Sequence, residues 1–138
     1  MSRMKKEKFD RLADAELDIM RVLWDSPTPM RVSNIVKKLS ATRSWKTQTA
    51  HVLLGRLEDR EFIEADRSGY FHTFSAKISE REYFAIESDS LRRRIGGNFH
   101  ALVASLIDSE DVSEEEIDEI THILARKKAE IRTKQESK

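Results

Sequence analysis

The chain has no cysteine, two prolines and four glycines among 138 residues. The missing cysteine excludes disulfides and thiolate metal sites and is compatible with a reducing compartment. No apolar run approaches the about eighteen residues of a membrane span. The polar, basic start MSRMKKEKF also lacks the apolar segment of a secretory signal. A cytoplasmic protein without membrane contact is therefore expected. Equally missing are a P-loop, a glycine-rich dinucleotide fingerprint, a Gly-x-Ser-x-Gly elbow and an HExxH pair, so nothing points to an enzyme, and no cofactor is expected. No metal is expected either. Asp118 and His122, or Glu119 and His122, have the spacing for two ligands on one helical turn, but such a pair is more often surface charge.

One further absence is local. Between Pro27 and Leu57 there is no acidic residue, although 25 of the 138 residues are Asp or Glu and about six would fall in such a window. The window holds Arg31, Lys37, Lys38, Arg43, Lys46 and Arg56, a one-sided charge that suits a polyanion. The zero net charge of the whole chain hides this asymmetry. Residues 1–76 carry 14 basic and 11 acidic side chains, and residues 77–138 carry 11 and 14. Only the first part is drawn to phosphate.

What is present is strongly periodic. A first helix is expected from about Asp14 to Trp24, ended by Pro27 and Pro29. In a second, Val32, Ile35, Val36 and Leu39 form one apolar stripe. In the segment from Trp45 to Leu57, Ala50, Leu53, Leu54 and Leu57 should face inward. That turns Gln48, His51 and Gly55 outward, with Lys46, Thr47 and Thr49 at the N-terminal end, the side-chain types that reach base edges and phosphates in a major groove. Gly55 is costly inside a helix, by about 1 kcal/mol relative to alanine, and either a close backbone approach or simple tolerance accounts for it. Phe62 to Asp66 and Tyr70 to Ala76 read as a hairpin around Arg67, Ser68 and Gly69. Alternation within the second strand places one of Tyr70 and Phe71 in the core and the other on the surface. The fold class is mostly α with a small β-hairpin: a winged helix-turn-helix over residues 1–76 and a helical dimerisation domain over residues 77–138.

The second part starts helices by capping boxes, Ser79 with Glu82 and Ser113 with Glu116, and breaks them at Gly96-Gly97. Phe99, Leu102, Val103, Leu106 and Ile107 make one apolar stripe, and Ile117, Ile120, Leu124 and Ile131 another. A small winged helix cannot cover them, and a second copy of the chain is the simplest partner.

Taken in order, Leu12-Ala13-Asp14-Ala15-Glu16, Leu23-Trp24, Trp45 with Thr49, Leu53-Leu54-Gly55-Arg56-Leu57, Gly69, Ser79-Glu80-Arg81-Glu82-Tyr83, Gly96-Gly97 and Val112-Ser113-Glu114-Glu115-Glu116-Ile117 resemble the penicillinase-repressor family (BlaI/MecI/CopY) of bacterial transcriptional repressors. The resemblance covers nearly the whole chain. It implies a homodimer that binds double-stranded DNA at an inverted-repeat operator and blocks transcription, with a sensor protease or another inducer as releasing partner. The Asn-Phe bond cleaved in the family's antibiotic-responsive members aligns with Ser105-Leu106, whereas Asn98-Phe99 lies seven residues earlier, and the cysteine pairs of copper-responsive members are absent.

The expected DNA-contacting set is Arg31, Lys37, Lys38, Arg43, Lys46, Thr47, Gln48, Thr49, His51, Arg56, Arg67 and Tyr70. The expected dimerisation set is Phe99, Leu102, Val103, Leu106, Ile107, Ile117, Ile120 and Leu124. Arg56 has an alternative as an ion-pair partner of Glu58 or Asp59. Trp24 and Trp45 read as packing anchors rather than stacking platforms. The basic start, with Arg3, Lys5, Lys6 and Lys8, is most often a free tail and otherwise a phosphate contact. The rival to the DNA reading is a winged helix used as a protein-interaction module, separable by its weaker dependence on salt.

Overall fold

A computed structural model describes residues 12–109 and 111–137, so the basic start falls outside the described residues. The described elements are α1 (Asp14–Asp25), α2 (Val32–Leu39), α3 (Thr47–Asp59), β1 (Ile63–Asp66), β2 (Thr73–Ala76), α4 (Glu80–Ile95), α5 (Phe99–Asp108) and α6 (Glu114–Glu136). They are mostly helical, with one two-stranded antiparallel hairpin. No helix among the described residues is long and apolar enough to cross a membrane.

The chain forms two compact units, one through Arg94 and one from Ile95 onward. In the first, α1 buries Ile19, Met20 and Leu23 on one face. Its first turn is closed by Glu16, whose carboxylate accepts from the Ala13 N–H at 3.2 Å and lies 3.7 Å from the Arg60 guanidinium. Helix α2 contributes Ile35 and Leu39 to the core, and α3 contributes Ala50, Leu53, Leu54 and Leu57, the stripe its periodicity requires. Trp24 and Trp45 are both partly buried against this core, and the Trp24 Nε1–H donates to the Ile78 carbonyl at 2.9 Å.

The hairpin pairs Ile63 with Ala76 and Asp66 with Thr73. Phe74 also exchanges both backbone hydrogen bonds with Met30, at 2.8 and 2.9 Å, which ties the second strand to the segment entering α2. The strands are shorter than the sequence suggests. Tyr70, Phe71 and His72 lie in the loop before β2, so alternation does not sort them. Tyr70 and Phe71 are both exposed.

Helix α4 starts at a complete capping box, with the Glu82 N–H donating to Ser79 Oγ and the Ser79 N–H donating to Glu82 Oε1. Although it lies beyond residue 76, it belongs to the first compact unit. Tyr83 is fully buried against Trp24 and Phe62, with ring centres 5.8 and 6.0 Å away, and its hydroxyl accepts from the Leu12 N–H at 2.8 Å.

The second unit begins at the end of α4, and Gly96 adopts a φ of 77°, a left-handed conformation that glycine takes at little cost. Ser113 caps α6 by accepting from the Glu116 N–H. Neither α5 nor α6 has a fully buried residue. Leu102, Val103, Ile107, Ile117 and Ile120 are half-buried, while Phe99, Leu106 and Leu124 are about 60 % exposed.

Candidate nucleic-acid interface

Because α3 turns its leucines inward, its other face is fixed. Lys46, Thr47, Gln48, Thr49, His51, Val52 and Arg56 are all exposed. Lys46 precedes the first turn without a side-chain cap, and that turn carries no acid. Helix α2 begins the same way, with Arg31 at its N-cap and no acid in its first turn. By contrast, α4 and α6 open with serine and glutamates. Helix starts without carboxylates leave their partial positive charge available to an anion. Lys37 and Lys38 are exposed at the other end of α2.

Three of the expected phosphate-contacting arginines have partners within the chain. The Arg43 Nε–H donates to Asp18 on α1, and its guanidinium lies 5.1 Å from the Trp45 ring, so this half-buried side chain fastens the α2–α3 turn to α1. Arg67 makes two parallel hydrogen bonds to the Glu58 carboxylate, at 2.7 and 2.8 Å. The Arg67 guanidinium holds the Glu58 carboxyl below the usual carboxylate range, chiefly through the side-chain hydrogen bond, and Glu58 raises Arg67 in return. Glu58 is thereby taken by Arg67 rather than by Arg56. Arg31 stacks its guanidinium 3.9 Å from the centre of the Phe71 ring.

The wing loop is shaped by its own first residues. The Ser68 N–H and hydroxyl both donate to Asp66, and these bonds lower the Asp66 carboxyl, the side-chain bond most. Beyond them Tyr70 is 93 % exposed and meets Phe71 edge to face at 4.8 Å. A shallow cleft of about 320 Å³ runs between the start of α2, the middle of α3 and the wing, lined by Arg31, Ser33, His51, Tyr70, Phe71 and His72 among others. Gly55 needs no close approach, since a Cβ added there would meet nothing within 4 Å. Among the described residues no three His, Cys, Asp or Glu side chains gather as metal ligands do.

Sequence reasoning missed Asp18, the pairing of Glu58 with Arg67 and the stacking of Arg31 on Phe71. Each acts through a residue on another element, and spacing along one helix or strand carries no signal of that.

The penicillinase repressor family profile matches residues 12–126, most of the chain. The chain belongs to the penicillinase repressor family. It is 28 % identical over 123 residues to the penicillinase repressor of Bacillus licheniformis, covering 88 % of this chain and 95 % of that protein. To the methicillin resistance regulatory protein MecI of Staphylococcus aureus (strain N315) it is 23 % identical over 121 residues, or 87 % of this chain and 98 % of that one. The solution structure of the DNA-binding domain of the repressor BlaI matches 54 % of this chain and 90 % of its own length, at 27 % identity and a TM-score of 0.48. As a member of this family the chain is a DNA-binding transcriptional repressor and not an enzyme.

Proposed function

We propose that this repressor binds a double-stranded, inverted-repeat operator as a homodimer, laying α3 in the major groove and the wing beside it. The observation that carries this reading is the exposed face of α3. Four apolar residues anchor the helix in the core, and Lys46, Thr47, Gln48, Thr49 and His51 are left exposed within the acid-free stretch from Pro27 to Leu57.

Within that face Thr47, Gln48 and His51 read bases. Lys37, Lys38, Lys46 and Arg56, exposed and with no carboxylate partner among the described residues to displace, hold phosphates. Arg43 and Arg67 serve the frame of the site through Asp18 and Glu58. The winged helix over residues 1–76 binds DNA, and the helical part from residue 77 onward dimerises through Phe99, Leu102, Val103, Leu106, Ile107, Ile117, Ile120 and Leu124. A sensor protease or another inducer releases the dimer.

Selection of binding sites from random duplex DNA tests the assignment. Gln48→Ala should lose about 1 to 3 kcal/mol at one base position and relax preference there, whereas Lys38→Ala should weaken every sequence alike. If both variants select the wild-type site unchanged, α3 is not the reading helix.

A further inference from the structure

We propose that Arg31 is a positioning residue for the wing, acting through Phe71 to present Tyr70 to DNA, rather than a phosphate contact in its own right; the proposal rests on the DNA-binding reading above. Arg31 follows Met30, whose backbone is bonded on both sides to Phe74 of the wing. That bridge places the root of the Arg31 side chain close to the loop that leads into β2. The guanidinium carbon then lies 3.9 Å from the Phe71 ring centre, at stacking distance. Its Nε is buried without a hydrogen-bond partner among the described residues. A guanidinium meant for phosphate keeps its N–H groups in water until DNA arrives. Here one N–H is already shut against protein, and the face of Phe71 is what offsets that loss.

Phe71 passes the constraint on, because Tyr70 packs on it edge to face at 4.8 Å. From the other side Arg67 fastens the loop to Glu58 on α3. The loop between β1 and β2 is thus held by α2 through Arg31 and by α3 through Arg67, and Tyr70 is the side chain left projecting at 93 % exposure.

Two substitutions separate positioning from charge. Arg31→Lys keeps the charge and loses the flat face, whereas Phe71→Leu removes no charge at all. The readouts are nitrogen-15 relaxation of the amides of residues 67–72 in the free full-length chain, and affinity as a function of salt for a duplex site that the wild-type chain selects from random sequence. Both variants should make the wing amides more mobile on the picosecond to nanosecond timescale. Both should bind about three- to tenfold more weakly, with an unchanged slope of log affinity on log salt, and the double variant should be no worse than the weaker single one. Wing amides as rigid as wild type in either variant would overturn the proposal. So would wild-type affinity in Arg31→Lys beside a slope reduced by about one in Arg31→Ala, the mark of a lost phosphate contact. If the wild-type chain selects no site, the DNA-binding reading fails and with it the role of Tyr70, while the relaxation data still decide whether Arg31 sets the wing.

Discussion

Among the charged residues, position in the sequence separates poorly what pairing separates well. Arg43, Arg67 and Lys38 look equivalent in a basic window or beside it, yet Arg43 is held by Asp18 and Arg67 by Glu58, while Lys38 stands exposed. The Glu58–Arg67 pair also has a pH signature. Because the folded protein lowers the Glu58 carboxyl below its ordinary value of 4.5, the pair contributes stability above that value, and the contribution is lost as pH falls through the lowered one. Side-chain carbon shifts followed by NMR should give Glu58 a midpoint below its ordinary value of 4.5. In Arg67→Ala the midpoint should return toward 4.5. A Glu58 midpoint that is the same with and without Arg67 would show that the two do not pair in solution.

Helices were more legible than the wing, and the reason is physical. The stripes of α2 and α3 repeat at the helical period over eight residues or more, and their buried faces are those the spacing requires. The spacings of Ser79 with Glu82 and of Ser113 with Glu116 marked the starts of α4 and α6 just as directly, the first forming a complete capping box and the second capping through the Glu116 N–H on Ser113 Oγ. Tyr70 and Phe71 instead suggested a strand, because two aromatic residues beside β-forming neighbours fit that pattern. Their conformation is set by Arg31 from α2 and by the Asp66–Ser68 turn, partners that a reading of one segment does not include. Helix α4 shows the same limit, since Tyr83 joins it to a core whose other members lie before residue 79. Tyr83→Phe should therefore cost about 1 to 3 kcal/mol, because the Leu12 N–H loses its buried acceptor while the ring still packs. Urea unfolding measures this, and a midpoint equal to wild type would mean that water replaces the hydroxyl.

At the scale of the whole molecule, the second unit holds more apolar surface than it covers. Leu106 and Leu124 are about 60 % exposed and Ile131 is 48 % exposed, and burying side chains of this size is worth roughly 1.5 to 3 kcal/mol each. A charge at one of these open positions, Leu106→Asp, should disrupt association while changing little within one chain. Sedimentation at micromolar concentration should show a wild-type dimer and a variant monomer whose circular dichroism is still helical. A monomeric wild type would remove the basis of the dimer. Placement also bears on release by cleavage. The Ser105–Leu106 bond lies inside α5, and the Ser105 carbonyl accepts from the Ser109 N–H, so a protease has to unwind that turn first. Asn98 stands at the N-cap of the same helix.

The backbone bridge between Met30 and Phe74 has a consequence for how the molecule assembles. It joins two points of the chain with both α2 and α3 between them, so closing it early would order a long loop before any contact compensates the lost entropy. An isolated two-stranded hairpin is itself marginal in water. The wing should consequently condense last, onto helices already packed, and its native contacts should be nearly absent from the rate-limiting transition state. In stopped-flow refolding, Phe74→Leu should leave the folding limb almost unmoved and steepen the loss on the unfolding side, so that weakening the wing shortens the lifetime of the folded repressor without delaying its birth.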